Sequence, residues 1–174
     1  MKRTSKLVTA IASIALCYSF YQVLSAELTN TLVFDIGFRP ATRSHTMILL
    51  LLDLPIMLLA GFGATMLLRQ HPLPLAGIST FLCVVTFLIC APEAITIPSM
   101  WLHWVLLFVA CSTGAFLSTL LIKKMDLDAE PVAPWKALLV LGVSVCVLWL
   151  FSTWNTDRIA AGIIRSLAPE TPEG

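Results

Sequence analysis

The stretch 46–68, TMILLLLDLPIMLLAGFGATMLL, decides the fold class. It carries a single charged residue, Asp53, and is long enough to cross a bilayer, which takes about 20 predominantly apolar residues in a helix. Lipid offers the backbone no hydrogen-bond partners, so a continuous apolar run is stable there only as a helix, and this run lacks the alternation of a barrel strand. The stretch therefore predicts a transmembrane helix.

Four more apolar intervals surround this stretch, and charged residues mark their ends. A charge at the centre of a bilayer costs roughly 2.5 to 3.5 kcal/mol on insertion scales, so charges are scarce within spans. The pattern predicts an all-α, polytopic membrane bundle that forms a single transmembrane domain over residues 1–174. We expect its helices near 7–26, 46–68, 74–92, 100–122 and 137–154.

The composition supports the same class. Of the 174 residues, 58% are hydrophobic and only 12% are charged, where a soluble domain has about 25% charged residues. The mean hydropathy is +0.90 and the net charge is +1. These values exclude a disordered chain, a soluble domain and a nucleic-acid-binding protein. The spans leave no room for a separate soluble catalytic domain, and nothing indicates a cofactor.

The first span has one alternative interpretation, a cleaved secretory signal, which would leave four helices. Its basic start at Lys2, Arg3 and Lys6 fits a signal, but its apolar stretch is longer than the usual core of about 7–15 residues. A retained helix is therefore favoured.

The tail, residues 155–174, places Ile159, Ile163 and Leu167 on one side at helical spacing. An amphipathic segment of this kind lies along a membrane surface. The sequence thus predicts a short interfacial helix at the C-terminal end, separate from the fifth span.

Lysine and arginine set the expected orientation, because basic residues concentrate in cytoplasmic loops. Their distribution predicts a cytoplasmic N-terminus and an external C-terminus, and the short loops fit a bacterial plasma membrane, the inner membrane where there are two. The cytoplasmic side would carry Lys2, Arg3, Lys6, Arg69, Lys123, Lys124 and Lys136, and the outer side Arg39, Arg43, Arg158 and Arg165.

Asp53 is the residue with the strongest functional signal. Carboxylates inside a membrane are costly and are functional candidates by default. Pro55, two residues later, predicts a kink and a freed carbonyl beside Asp53, as found where helices line cavities. The alternative is that Asp53 is structural, protonated or paired, and holds helices together.

Five other polar residues are expected near the depth of Asp53. Together they predict an outward-facing polar cluster for binding or proton relay, while the nearly uncharged inner halves of the helices argue against a continuous proton path. Simpler alternatives remain open: His103 as an interfacial histidine, and the two arginines as lipid headgroup contacts. The five residues are His103, Glu93, His45, Arg39 and Arg43.

Small residues mark the expected packing faces. They recur every four residues in the second and fourth helices and allow close approach of helices within or between chains. They are Ala60, Ala64, Ala110, Gly114 and Ser118.

No catalytic or metal motif is present in the sequence. The five cysteines form no Cys-x-x-Cys pair, and the three histidines lie on different segments without ligand spacing. Accordingly, we predict neither catalytic residues nor a metal site.

Three functions follow, in order of weight. The first is a non-enzymatic protein that acts through helix–helix contacts, as an accessory subunit of a membrane complex or an immunity-type protein. The second is a small oligomeric transporter or channel that uses Asp53. The third is a membrane-embedded enzyme acting on a lipid or quinone head group. The expected partners are the lipid bilayer and another membrane protein or a second copy of the chain.

Overall fold

The computed structural model describes residues 2–34, 43–69, 71–125, 127 and 132–167, with backbone alone for 2–5, 43–50, 94 and 165–167. Within these residues the chain forms five α-helices, a short 3₁₀ helix (Pro92–Thr96) and no strand. All five α-helices are long and apolar enough to cross a membrane, which confirms the predicted all-α class and helix number. They are α1 (Lys2–Phe34), α2 (Arg43–Leu68), α3 (Pro72–Cys90), α4 (Pro98–Lys124) and α5 (Pro134–Leu167).

The first and last helices are longer than the sequence predicts. α1 continues past Glu27 to Phe34, and α5 continues without a break to Leu167, so the expectation of a separate C-terminal helix was wrong. A charged residue marks the edge of an apolar span, but a charge alone does not end a helix. At 1.5 Å per residue, these helices are about 50 Å long, against about 30 Å for the hydrocarbon core.

Prolines begin three of the five helices. Pro72, Pro98 and Pro134 each occupy a first helical position, where the missing N–H has no partner to lose. Pro55 differs, because α2 continues on both sides of it. The predicted kink there stays a prediction.

Contacts between the helices fix their relative directions. α1 and α5 run parallel, since Thr9 contacts Val132 near their starts and Glu27 contacts Asn155 further along both. α2 and α4 run parallel to each other, because Asp53 meets His103 and Gly61 meets Cys111. The bundle thus has two ends. We name them the Arg69 end, where α1, α3 and α5 begin, and the Glu27 end.

α1 occupies the centre of the bundle, in contact with α2, α3 and α5. The apolar core gathers around it and includes small side chains as well as large ones. Its members include Ala12, Leu16, Cys17, Met57, Ala60, Ala64, Leu75, Ala76, Leu107, Cys111 and Ala115.

The closest helix pair is α2 with α4, and glycine makes it possible. A Cβ added at Gly114 would lie 2.0 Å from the Leu58 carbonyl oxygen, and one at Gly61 would lie 2.4 Å from the Cys111 carbonyl oxygen. Of the small residues predicted to form packing faces, Ala60, Ala64 and Ser118 are buried with Gly114, and Ala110 is partly buried. Gly61, next to Ala60 in the sequence, was not among the predicted packing residues.

α5 lies at the periphery and packs against α1 along one narrow stripe. Its buried residues recur at spacings of three, four or their sums, as in a coiled-coil seam. They are Ala137, Leu148, Asn155 and Ile159. Only 11% of its membrane-length segment is buried, against 28–33% in the other four helices.

Replacement of Gly114 by alanine tests the α2–α4 contact. The added methyl group would overlap backbone atoms that cannot rotate away, so we expect the free energy of unfolding to fall by about 1–3 kcal/mol. Gly142→Ala in α5 is the matched control, because its methyl group would meet no atom within 4 Å. Denaturant unfolding in detergent, followed by circular dichroism, measures both. Equal stability of the two variants would refute the close packing.

Candidate functional site

The carboxyl group of Asp53 links α2 to two neighbouring helices. From α1, the Ser25 hydroxyl donates a hydrogen bond to Asp53 Oδ1 at 2.5 Å, and the Tyr21 hydroxyl interacts with the same carboxyl group. From α4, His103 Nε2 lies 3.8 Å from Asp53 Oδ2. We call these four residues the Asp53 cluster.

The contact between Asp53 and His103 is too long to be a hydrogen bond. The two side chains form an ion pair only when the imidazole is protonated to its cationic form and the carboxyl group is ionised. Both side chains are largely buried, with exposed fractions of 18% for Asp53 and 6% for His103. A proton added to or removed from either group would therefore change the attraction between α2 and α4.

A cavity of about 160 Å³ adjoins the Asp53 cluster. It is large enough for several water molecules or a small ion. Three members of the cluster line it, Tyr21, Ser25 and His103, together with the polar side chains of Gln22 and Thr86. Asp53 does not line the cavity itself, and its carboxyl group is connected to it through Tyr21, Ser25 and His103. Two hydroxyls and an imidazole beside such a space, in contact with a carboxyl group, can exchange a proton.

The other predicted members of the polar cluster do not join Asp53. Glu93 is exposed in the 3₁₀ helix, and among the described contacts none links it to the Asp53 cluster. Arg43 begins α2 and His45 lies in its first turn, but their side chains, like all of Arg39, fall outside the described residues. Of the six candidates, the structure thus brings together Asp53 and His103.

A second polar cluster, which the sequence reasoning missed, joins α1 to α5 at Glu27. The Glu27 carboxylate is buried and accepts two hydrogen bonds from α5, one from the Ser152 hydroxyl and one from Asn155 Nδ2 at 2.6 Å. Arg158 in turn donates to Asn155 Oδ1 from Nε at 3.3 Å and from Nη2 at 2.9 Å. We call these four residues the Glu27 cluster.

The sequence contained a signal for the Glu27 cluster. The predicted first span ends at residue 26, just before Glu27, and the predicted tail begins at Asn155. Both lie one residue beyond the predicted ends of their spans, at one membrane face, and a glutamate needs such partners when buried. The donors that surround Glu27 indicate a structural role, because they occupy both of its oxygens.

Two more polar contacts connect α1 to its neighbours. The Tyr18 hydroxyl lies 2.7 Å from Thr86 Oγ1 on α3, and Cys17 Sγ lies 3.8 Å from Cys111 Sγ on α4. α1 therefore has polar contacts with each of the other four helices, including Asp53 on α2. Among the described residues, no group of three or more acidic, histidine or cysteine side chains is arranged to hold a metal ion.

Comparisons with known proteins add no assignment to this geometry. No protein-family model, no curated protein and no solved structure matches the chain.

Removal of the Glu27 carboxylate should loosen α5. Glu27→Leu removes the close acceptor of the buried Asn155 amide and leaves Nδ2 with only Thr31 Oγ1 at 3.4 Å, so we expect a loss of about 3 kcal/mol in the free energy of unfolding. Hydrogen exchange should rise mainly in α5, whose packing contacts are chiefly with α1. Glu93→Leu removes an exposed carboxylate at the same end and is the control. Unchanged exchange in α5 would show that the Glu27 cluster does not hold it.

Asp53 can be tested with a matched pair of substitutions. Asp53→Asn keeps an oxygen that accepts from Ser25, so we expect the variant to fold with a loss below about 1 kcal/mol. Asp53→Leu leaves the Ser25 hydroxyl and the His103 imidazole without that partner and should cost about 1–3 kcal/mol. Steric-trapping measurements in bilayer discs give both values. A leucine variant as stable as the asparagine variant would contradict the linking role of Asp53.

Proposed function

We propose that the chain is a non-enzymatic multi-pass membrane protein that acts through helix–helix contacts, as an accessory subunit of a membrane complex. The observation that carries this proposal is a crevice between α2 and α5. Its volume is about 200 Å³, and its walls are apolar or small. Leu16 and Phe20 of α1 line it, α2 contributes Ala60, Gly63, Ala64 and two leucines, and α5 contributes Val143, Ser144, Val147 and Leu148.

The crevice has the surface that a transmembrane helix needs for close approach. Small residues let helix backbones approach each other, which gains dispersion energy where lipid supplies no hydrophobic driving force. Gly63 is open, because a Cβ built there would meet no atom within 4 Å. The space beside Gly63 is therefore not occupied by the chain's own helices, unlike the space beside Gly61 and Gly114.

The peripheral position of α5 supports the same proposal. Its outward surface carries three tryptophans, Trp135, Trp149 and Trp154, each more than 60% exposed. Aromatic side chains are enriched at protein interfaces, where a few of them supply much of the binding energy. Trp149 precedes Trp154 by five residues, which is about 8 Å along the helix axis at 1.5 Å per residue, and so lies farther from the Glu27 end. Trp154 follows Val147 by seven residues and so lies on the crevice side of α5, where a partner helix packed over the crevice would contact it.

Charge supports the proposed orientation in a bacterial plasma membrane, with the N-terminus cytoplasmic and the C-terminus outside. Among the described residues, the Arg69 end carries five basic side chains, which favours the cytoplasmic side. The basic residues there are Lys6, Arg69, Lys123, Lys124 and Lys136. The Glu27 end carries Glu27, Glu93, Asp157 and Arg158.

Gly63→Leu tests the crevice as a docking site. The added Cβ would meet no atom within 4 Å, so we expect the protein to fold, and the rest of the leucine side chain would fill part of the crevice, so partner capture should fall at least tenfold. The measurement is quantitative mass spectrometry of proteins that co-purify with a tagged copy at native abundance. Gly142→Leu, on α5 but outside the crevice, is the control and should retain the partner. Equal capture by the two variants would refute docking in the crevice.

The Asp53 cluster favours a second candidate function, a small oligomeric transporter or channel. The supporting observation is the cavity of about 160 Å³ beside a carboxyl group and an imidazole. Asp53→Asn separates the two candidates, since we expect it to fold. A transporter would lose ion flux in liposomes with this substitution, whereas an accessory subunit would keep its partner.

A further inference from the structure

A further cavity lies among the described residues at the Arg69 end, separate from both polar clusters and lined by other residues than the crevice. Its volume is about 840 Å³, and it is formed by the last turns of α2, the start of α3 and the second half of α4. Its apolar wall includes Leu73, Phe116, Leu117 and Ile122. Phe116 and Leu117 are also exposed on the outside of the bundle, so the cavity opens toward the surrounding lipid.

The mouth of the cavity is basic. Arg69 and His71 line it, and α3 starts between them and the apolar wall, with no acidic residue in its first turn and no side-chain cap from His71. The start of a helix carries a partial positive charge that favours anions. A second cavity of about 420 Å³ adjoins the other side of His71 and adds Lys6. Among the described residues that line either cavity, none is acidic.

Buried hydroxyl groups inside the cavity also indicate a ligand. Thr65 is 1% exposed, yet its Oγ1 has no hydrogen-bond partner among the described residues, and the same holds for Ser112 Oγ. Both residues line the cavity. Buried polar groups in proteins are nearly always paired, so two unpaired hydroxyls in one cavity call for an external acceptor or donor. Ester oxygens of a lipid are such acceptors.

The backbone of Arg69 sets where its side chain leaves the helix. Arg69 follows the last residue of α2 with a φ of 54°, the left-handed conformation common just after helix ends, and its N–H donates to the Thr65 carbonyl oxygen. This conformation places a guanidinium group directly after the last helical turn, at the mouth of the cavity.

We propose that this cavity binds a phosphate-bearing lipid, with the phosphate at Arg69, His71 and the start of α3, and an acyl chain along Leu73 and Phe116. A guanidinium group is suited to phosphate because it offers several donors in a plane. The apolar wall beyond the mouth distinguishes this site from one for a soluble anion, since it offers inorganic phosphate nothing to contact.

Native mass spectrometry of the purified full chain tests the proposal with three probes. Dioleoyl phosphatidylglycerol should bind at least tenfold more tightly than dioleoylglycerol, which has the chains but no phosphate. Inorganic phosphate at millimolar concentration should not displace the bound phosphatidylglycerol. Binding of dioleoylglycerol with equal affinity would overturn the role of the phosphate, and displacement by inorganic phosphate would overturn the role of the chains.

Two substitutions locate the bound lipid. Arg69→Gln should weaken phosphatidylglycerol binding about tenfold, as expected for loss of a charged hydrogen-bond donor. Lys136→Gln, which removes a cation near the Trp135 ring at the same end but outside the cavity, should not change it. Thr113→Trp places a large side chain at an exposed position of the cavity wall and should also reduce binding. Unchanged binding in both Arg69→Gln and Thr113→Trp would overturn the site.

Discussion

The need to pair polar groups in an apolar environment governs the packing of this bundle around α1. In lipid, apolar side chains gain little from contact with each other, so hydrogen bonds and close backbone packing must hold helices together. α1 supplies the buried Glu27 to α5, Ser25 and Tyr21 to Asp53, and Tyr18 to α3. The α2–α4 pair depends on the other device, close packing at Gly61 and Gly114.

The function that we propose follows from these two ways in which the helices are held together. α1 is surrounded and α2 is closely packed on α4, whereas α5 stands apart from α2 and leaves the crevice between them open, which is where we propose that a partner binds. A Cβ at Gly63 would meet no atom there within 4 Å. Gly114 of α4, by contrast, packs directly against the backbone on the opposite side of α2. The Asp53 cluster connects three helices and also adjoins a small cavity that polar side chains partly line. For that reason it supports both a structural and a transport role.

The sequence predicted the five helices and most of their boundaries, because the cost of a charge in lipid ties composition closely to span position. It failed at the ends of α1 and α5, where Glu27 and Asn155 were treated as boundaries. Their pairing depends on two helices that are distant in sequence but adjacent and parallel in space. Depth alone also grouped Glu93 with Asp53, whereas rotation about the helix axes, which depth does not contain, decides which side chains meet.

The central claim is that another membrane protein occupies the crevice between α2 and α5. A photo-crosslinking amino acid placed at Val147, inside the crevice, tests it in intact cells. The account predicts an adduct with one distinct membrane protein, and none when the same amino acid replaces Val145, which is exposed on another side of α5. Adducts with lipid alone, or with a second copy of the chain, would contradict it.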